Sequence, residues 1–248
     1  MQWSIIIVSY NCLEPLLKCL DSLKSLAEVI VVDNASTDGT VLKLQKQFPE
    51  ITSIVNDHNA GFAYAANQGA KKATGTNLLF LNPDTIINPS VLDVLRLSLE
   101  KAGVGIVAPQ LVDEFGKDEK FAAGYFPTLG RLVTRRIAVV TKTSAVDWVS
   151  GAALAIKREL FLRLQGFDEQ FFMYYEDIDL CLRAKQLGFE TVVAPFHIVH
   201  KRGQSLSNNT LRKNYYYRSQ SLYFKKHFGT MYAWAIALVR LPLKFRNV

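Results

Sequence analysis

Three acidic positions in this chain stand where a carboxylate could do chemistry: Asp33, Asp84 and the cluster Glu176-Asp177-Ile178-Asp179. Asp33 follows Glu28-Val29-Ile30-Val31-Val32, and Asp84 follows Leu78-Leu79-Phe80-Leu81. Such short apolar runs bounded by turn formers read as strands buried on both faces. Pro83 fixes its own φ and pushes Asn82 toward extended geometry, so the second run must stop there. Each carboxylate therefore lies just past the carboxyl end of a buried strand, where open α/β sheets bind ligands. Turn statistics alone would make Asn82-Pro83-Asp84 an Asx or type I turn. The surrounding chain favours function.

The cluster separates when Glu176 to Leu187 is projected at about 100° per residue. Glu176, Asp179, Arg183 and Gln186 share a polar face, and the four-residue spacing of Asp179 and Arg183 predicts a surface ion pair. Asp177 falls instead among Leu180, Cys181 and Ala184. A carboxylate on an apolar face must be paired, metal-bound or catalytic. Among the histidines, His58 in a polar turn and His227 beside Lys225 and Lys226 are expected to face solvent. His197 and His200 are three apart, so on a strand they point to opposite sides and do not form one site together. Spacing leaves open whether one of them joins Asp84 at a metal.

The elements that must position these groups alternate. Ser4 to Val8 is a strand with exit loop Ser9-Tyr10-Asn11, and leucines from Leu13 to Leu23 recur at helical spacing with Pro15 in the first turn. Helices over Val41–Phe48 and Gly61–Ala73 and a strand over Ile51–Val55 complete the pattern up to Leu78–Leu81. This alternation predicts right-handed crossovers and a mostly parallel sheet with helices on both faces. Beyond it come a helix over Ser90–Lys101 and a strand over Val104–Ala108. Gln110 to Ser144 shows few clear elements, and a loop of that length is usually functional or mobile. Val146–Ile156 reads as a strand pair bent around Gly151, Arg158–Gln165 as a helix stopped by Gly166, and Thr191–Ala194 as a last strand.

The 248 residues suit one large domain or two small ones. Cys12, Cys19 and Cys181 are scattered and odd in number, which argues against a disulfide framework and for a reducing compartment. No basic leader or cleavage site precedes the first strand, so a cytoplasmic location is expected. The net charge of +7 is uneven. No acidic residue follows Glu190, whereas ten of the 29 lysines and arginines do, which leaves the rest of the chain at −3. A basic end on a slightly acidic body suggests an anionic partner. Met231–Val239 is an apolar run too short to span a bilayer. The tail aromatics, Tyr215–Tyr217, Tyr223, Phe224 and Trp234, either pack a helix onto the domain or rest with the basic residues on an anionic leaflet.

Six stretches in order carry a resemblance: Ser4–Asn11 (SIIIVSYN), Val31–Thr40 (VVDNASTDGT), Asn59–Gly69 (NAGFAYAANQG), Leu78–Thr85 (LLFLNPDT), Ser150–Ala153 (SGAA) and Gly166–Ala184 (GFDEQFFMYYEDIDLCLRA). Over roughly residues 4 to 205 the chain resembles the GT-A family 2 glycosyltransferases, and within them a bacterial rhamnosyltransferase-like branch. The resemblance implies a GT-A domain over 1–205, with a nucleotide-sugar half (1–109) and an acceptor and catalytic half (110–205), followed by a basic, mainly helical extension over 206–248. It implies that Tyr10 stacks on the nucleotide base and Asp33 fixes the base edge. Asn34, Asn67, Gly61 and Phe62 would line the ribose and diphosphate. Asn82-Pro83-Asp84 replaces the family's Asp-x-Asp metal motif, with Asp84 and His200 as ligands of Mg²⁺ or Mn²⁺ and Asn in place of the first aspartate. Asp177 matches the catalytic base. Further substrate contacts are implied for Ser9, Asn11, Trp148, Gly151, Glu176 and Arg202. The implied reaction is one inverting displacement. A metal offsets charge on the leaving diphosphate, and a carboxylate takes the acceptor hydroxyl proton. The implied acceptor is a lipid-linked saccharide, with the enzyme peripheral at the inner face of the cell membrane, and no nucleic acid is expected.

Three other readings fit less of the chain. A dinucleotide-binding dehydrogenase would want a glycine-rich turn after the first strand, where Ser9-Tyr10-Asn11-Cys12 has none. A sugar nucleotidyltransferase would show a glycine-rich basic loop there. A non-enzymatic basic binder of nucleic acid or membrane leaves Asp177 unexplained.

Overall fold

The computed structural model describes residues 2–23, 27–119, 121–134, 145–201 and 209–244. In chain order the elements are β1 (Trp3–Ser9), α1 (Leu13–Ser22), β2 (Glu28–Asp33), α2 (Thr40–Gln47), β3 (Thr52–Val55), α3 (Phe62–Lys72), β4 (Asn77–Leu81), β5 (Thr85–Ile86), α4 (Ser90–Leu99) and β6 (Val104–Val112). The second half adds β7 (Ala123–Gly124), α5 (Leu129–Thr134), β8 (Ala145–Val146), β9 (Trp148–Val149), β10 (Ala153–Lys157), α6 (Arg158–Arg163), α7 (Glu176–Gln186), β11 (Glu190–His200), α8 (Asn209–Phe228) and α9 (Thr230–Lys244).

The central sheet runs β3-β2-β1-β4-β10-β6-β11-β5, with β8 pairing β11. β3, β2, β1 and β4 are parallel neighbours, as crossovers through helices require. β10 enters antiparallel between β4 and β6, and β6 and β11 are again parallel. The continuous apolar runs follow from cover on both faces. Ile5 and Ile7 pack with Leu16 and Leu20 of α1 and Leu95 of α4. Ile6 points the other way, onto the alanines of α3 and Leu180 and Ala184 of α7. This is a mixed α/β sheet with its strand exits β1, β2 and β4 on one edge, which is the edge that matters below.

The last strand is longer than its apolar segment predicts. β11 continues from Ala194 to His200, with a register shift at Pro195-Phe196 where it loses step with β6. Proline lacks the N–H a ladder needs, so it is tolerated at such a bulge. Both histidines therefore lie on the strand: His197 is exposed and His200 is buried. The sparse stretch after Gln110 contains the rest of β6, α5 and the strand β7, which pairs with β9 in a small second sheet. Its residues 135–144 lie outside the described residues.

The aromatic part of the tail packs on the body. Tyr223 and Phe224 of α8 and Ile236 of α9 form a third apolar cluster with Phe171, Tyr175 and Ile178, against which Phe126 and Leu129 also lie. Phe224 is fully buried, and truncating such a ring costs about 3–5 kcal/mol. The same packing corrects two expectations. Asp179 is not a surface residue: it is 0% exposed and bonded to Arg183 Nε (2.7 Å), Lys226 Nζ (2.7 Å) and His227 Nε2 (2.7 Å). His227 is accordingly packed against Asp179, its side chain 9% exposed, rather than solvent-facing. The polar face of α7 is real, but α8 covers it, which the projection of one helix cannot show.

Candidate active site

A cavity of about 210 Å³ opens at the carboxyl ends of β1 and β4 and the N-terminus of α7. Its wall includes Tyr10, Asn34, Phe62, Asn82, Asp84, Gly151, Glu176, Asp177 and His200, nine of the positions singled out from the sequence. The chain places them there through four local devices.

The first is the join between the exits of β1 and β2. Asn34 N–H donates to Ser9 O (2.8 Å), and Asn11 Oδ1 accepts from Thr37 N–H (2.8 Å). Asp33 Oδ2 accepts from Ser36 N–H (2.8 Å), while its buried Oδ1 accepts no hydrogen bond. Ser9 is fully buried and its hydroxyl lies 3.4 Å from Cys12 Sγ, so it and Asn11 hold the loops instead of lining the cavity.

The second is the entry to α3. Asn34 Nδ2 donates to Gly61 O (3.1 Å) and Phe62 N–H donates to Phe172 O (2.8 Å). Gly61 has φ 87°, and a Cβ there would meet Phe172 O at 2.5 Å, so only glycine lets the two backbones approach. Asn67 is one of two further expected contacts that the fold turns elsewhere. Its amide accepts from Phe167 N–H (2.9 Å) and donates to Phe167 O and Glu169 Oε1 (2.9 Å each), clamping the turn before α7. Trp148 is the second; its Nε1–H donates to Tyr125 O (3.0 Å) in the β7-β9 sheet, away from the cavity wall. Arg202, also expected there, lies outside the described residues.

The third device is the Asn82-Pro83-Asp84 turn, closed by Thr85 Oγ1 donating to Asn82 O (2.7 Å). It buries Asp84 against β11, where Lys201 N–H donates to Asp84 O (2.8 Å). His200 Nε2 lies 3.2 Å from Asp84 Oδ1 and 3.3 Å from Asn82 Nδ2, and its Nδ1 lies 2.7 Å from Glu119 Oε2. Burial disfavours the imidazolium, but the bonds and charges of Asp84 and Glu119 outweigh it and push the His200 pKa up to about 9. Asp84 Oδ1 is buried and accepts no hydrogen bond of good geometry. A carboxylate oxygen beside an imidazole nitrogen is a donor set that suits a divalent cation. Among the described residues no group of three or more His, Cys, Asp and Glu is arranged to hold a metal. The pair fits a cation that takes its other ligands from water or phosphate.

The fourth is the turn into α7. Tyr174 (φ 69°) and Tyr175 (φ 70°) are consecutive left-handed residues without being glycine, a conformation costing about 1–2 kcal/mol each. The tail holds them there. Gln220 Nε2 donates to Tyr175 OH (2.6 Å), Ser219 Oγ donates to Met173 O (2.7 Å), and Tyr215 stacks on Phe172 at 4.6 Å. This turn aims Glu176 and Asp177 past the edge of the core into the cavity. Asp177 Oδ2 accepts from Gly151 N–H (2.9 Å) and Oδ1 from Ile178 N–H (2.8 Å). Burial raises its pKa above the usual carboxylate range, and these N–H groups draw it partly back. For Glu176, burial and then the Asp177 charge push the carboxyl well above that range, and its Oε2 accepts no hydrogen bond.

Two charged wall residues escaped the sequence reading. Glu119 sits in the stretch of few elements and meets His200 across 81 positions, a contact with no local signal. Arg212 was visible only as one of ten tail charges, yet α8 brings it to the cavity beside Tyr174, whose OH accepts from its Nε (3.4 Å). It is the only lysine or arginine on the wall among the described residues.

Strand exits gathered around an Asn-Pro-Asp turn, on a mixed sheet covered by helices on both faces, define the GT-A fold of glycosyltransferases. Residues 4–164 match the family model "Glycosyl transferase family 2", and the chain belongs to that family. It is 28% identical over 218 residues to the rhamnosyltransferase WbbL of Escherichia coli K12, covering 79% of this chain and 82% of that protein. It is 25% identical over 234 residues to an N-acetylglucosaminyl-diphospho-decaprenol L-rhamnosyltransferase of Mycobacterium tuberculosis, covering 81% and 76%. Among solved structures, the mannosyltransferase PcManGT of Pyrobaculum calidifontis, in complex with GDP-Man and Mn²⁺, superposes with a TM-score of 0.63 at 20% identity, covering 97% of this chain and 70% of that one. That likeness bears on the fold alone.

Proposed function

We propose that this glycosyltransferase transfers L-rhamnose, with inversion, from dTDP-rhamnose to a lipid-linked saccharide in bacterial cell-surface polysaccharide synthesis. The sugar rests on the two rhamnosyltransferase relatives, and the lipid-linked acceptor on the Mycobacterium tuberculosis one. The observation that carries the reaction type is one cavity walled by the Asp84–His200 pair and by Asp177, with Asp177 and Glu176 held basic by burial.

Residues 1–109 bind the nucleotide sugar, 110–205 supply the acceptor side, and the extension over 206–248 completes the wall through Arg212. Tyr10 stacks on the base, and the buried Oδ1 of Asp33, which has no hydrogen-bond partner within the protein, accepts from the base edge. Asn34, Gly61 and Phe62 border the ribose. Asp84 and His200 hold Mg²⁺ or Mn²⁺, which when bound offsets charge on the leaving diphosphate. Asp177, its carboxylate oriented by Gly151 N–H, takes the proton of the acceptor hydroxyl as that oxygen attacks the anomeric carbon. The carbon–oxygen bond to the diphosphate breaks in the same displacement. The open Oε2 of Glu176 contacts an acceptor hydroxyl beside it. One base is sufficient because no covalent sugar-enzyme intermediate forms. The protein works as a peripheral enzyme at the cytoplasmic membrane face.

Chelation with EDTA is expected to abolish transfer, and Mg²⁺ or Mn²⁺ to restore it. Full activity in chelator would remove the metal assignment at Asp84 and His200. Arg212 is the wall's guanidinium for phosphate oxygens. Arg212→Ala should weaken nucleoside diphosphate binding by about 10–100-fold, the value of one charge-assisted hydrogen bond. Unchanged binding by calorimetry would mean that Arg212 does not touch the phosphates.

A further inference from the structure

The face that the aromatic tail leaves uncovered is as ordered as the one it buries. On α9, Met231 (84% exposed), Trp234 (69%) and Leu238 (64%) recur at three- and four-residue spacing, while Ile236 on the opposite side is buried. The spacing makes one apolar stripe along a helix surface. Surface stripes of large apolar side chains on a helix mark a partner or a membrane interface. No described helix is long and apolar enough to cross a membrane, so this stripe can lie on one but not span it.

Charge says which partner covers the stripe. Residues 120–146 and 191–248 contain no aspartate or glutamate. They are remote in sequence, and the fold brings them together: α5, in the middle of the first, packs against α9 of the second, with Leu129 beside the Ile236 cluster. Arg218 and Lys225 stand exposed on α8, the other arm of the same helical hairpin. Lys226 on the same helix is instead bound to Asp168 and Asp179, and Arg131 of α5 to Phe126 O beside Asp147. An apolar stripe on one of two adjoining acid-free, basic segments is complementary to an anionic bilayer: side chains enter the acyl boundary while lysines and arginines meet headgroup phosphates. A second copy of this chain would bring like charges together at the same face.

From this juxtaposition we infer that the α5–α9 face is a docking surface for an anionic lipid bilayer, with Met231, Trp234 and Leu238 inserted at the interface. The inference extends the reading of a lipid-linked acceptor, because α8 joins this face to the cavity through Arg212. Its test is independent of turnover.

The full chain is mixed with vesicles of phosphatidylcholine alone or with added phosphatidylglycerol, and bound protein is measured by co-sedimentation. Binding is expected only to the anionic vesicles and is expected to fall steeply with salt, since each basic residue near such a surface is worth about fivefold in affinity. Trp3 is buried and Trp148 half-buried, so the exposed Trp234 reports directly: its emission should shift to the blue on anionic vesicles. Met231→Ser with Leu238→Ser should reduce binding on the order of tenfold or more while leaving Trp234 to report. Arg218→Glu with Lys225→Glu should remove the preference for anionic over neutral vesicles. All four positions are exposed and away from the cavity, so nucleoside diphosphate binding should be unchanged in these variants and shows that they are folded. Equal binding to neutral and anionic vesicles at low salt, or an unshifted Trp234 emission, would overturn the inference. So would a concentration-dependent dimer that both serine substitutions dissolve, because a second copy would then be the occupant.

Discussion

Asp177→Asn is expected to lower turnover by about 10²–10⁴-fold, the usual contribution of a positioned general base. The amide keeps the size of the side chain and can still accept from Gly151 N–H through its oxygen, but it cannot take a proton from the acceptor. Nucleoside diphosphate affinity should change little, because the nucleotide is assigned to Asp33, Asp84 and Arg212 instead. The pH profile carries the same signature. Burial raises the Asp177 pKa, so the wild-type rate should fall as pH drops through a value above the ordinary carboxylate range, and this limb should vanish in the variant. Near-normal turnover in purified, folded Asp177→Asn would contradict the mechanism.

Asp179→Asn is expected to act on stability, and far more strongly than an exposed ion pair would. Its carboxylate is fully buried and meets Arg183, Lys226 and His227, while Arg183 also donates to Leu164 O and Gly166 O. Removing the one anion leaves three cationic or protonatable groups around a site without its counter-charge, a loss of about 3–5 kcal/mol. The sign with pH follows from the depressed pKa. Burial raises the carboxyl, but the bond to His227 and the charges of Arg183 and Lys226 bring it down to about 2. Its stabilisation is therefore full above its unfolded value of about 3.9 and is lost as pH falls toward about 2. Urea denaturation of both proteins at neutral pH and again in acid reads the difference, which should narrow as pH falls. A neutral-pH loss within about 0.5 kcal/mol, the exposed-pair range, would show that the network contributes nothing.

The parts of this structure that were legible in the sequence are those with a local physical signature. Asp33 and Asp84 were placed by the apolar runs before them, because a doubly covered strand needs no alternation and ends where Pro83 forbids its continuation. Asp177 was placed by helical periodicity, since Leu180, Cys181 and Ala184 are indeed fully buried on that side. What could not be read depends on contacts between distant segments. Asp179 and His227 form a surface pattern on their own helices and are packed together only when α8 crosses α7. Asn67 sits in a motif-bearing helix but spends its amide on the backbone of Phe167, a hundred positions later. The length of β11 was hidden by Pro195, which breaks the apolar pattern without ending the strand. Tyr174 and Tyr175 carry no composition signal for left-handed backbone, because glycine or asparagine would be expected there.

That last point links the tail to the chemistry. The strained turn that aims Asp177 is held by Tyr215, Ser219 and Gln220, and the far end of α8 anchors α7 through Asp179. A basic extension that looks like an appendage in sequence is thus a wall of the site and a brace for its proposed base.

The central claim is that this cavity transfers a sugar from a nucleotide donor to an acceptor, and one measurement meets it directly. The purified chain, with Mn²⁺ and a lipid-linked saccharide acceptor, is offered a panel of nucleotide-sugars, and release of nucleoside diphosphate is followed alongside the anomeric configuration of the product by NMR. The account predicts acceptor-dependent release from dTDP-rhamnose, with the new linkage inverted relative to the donor. Release with retained configuration would contradict the single displacement at Asp177, and binding of donors without release from any of them would contradict the transferase reading itself.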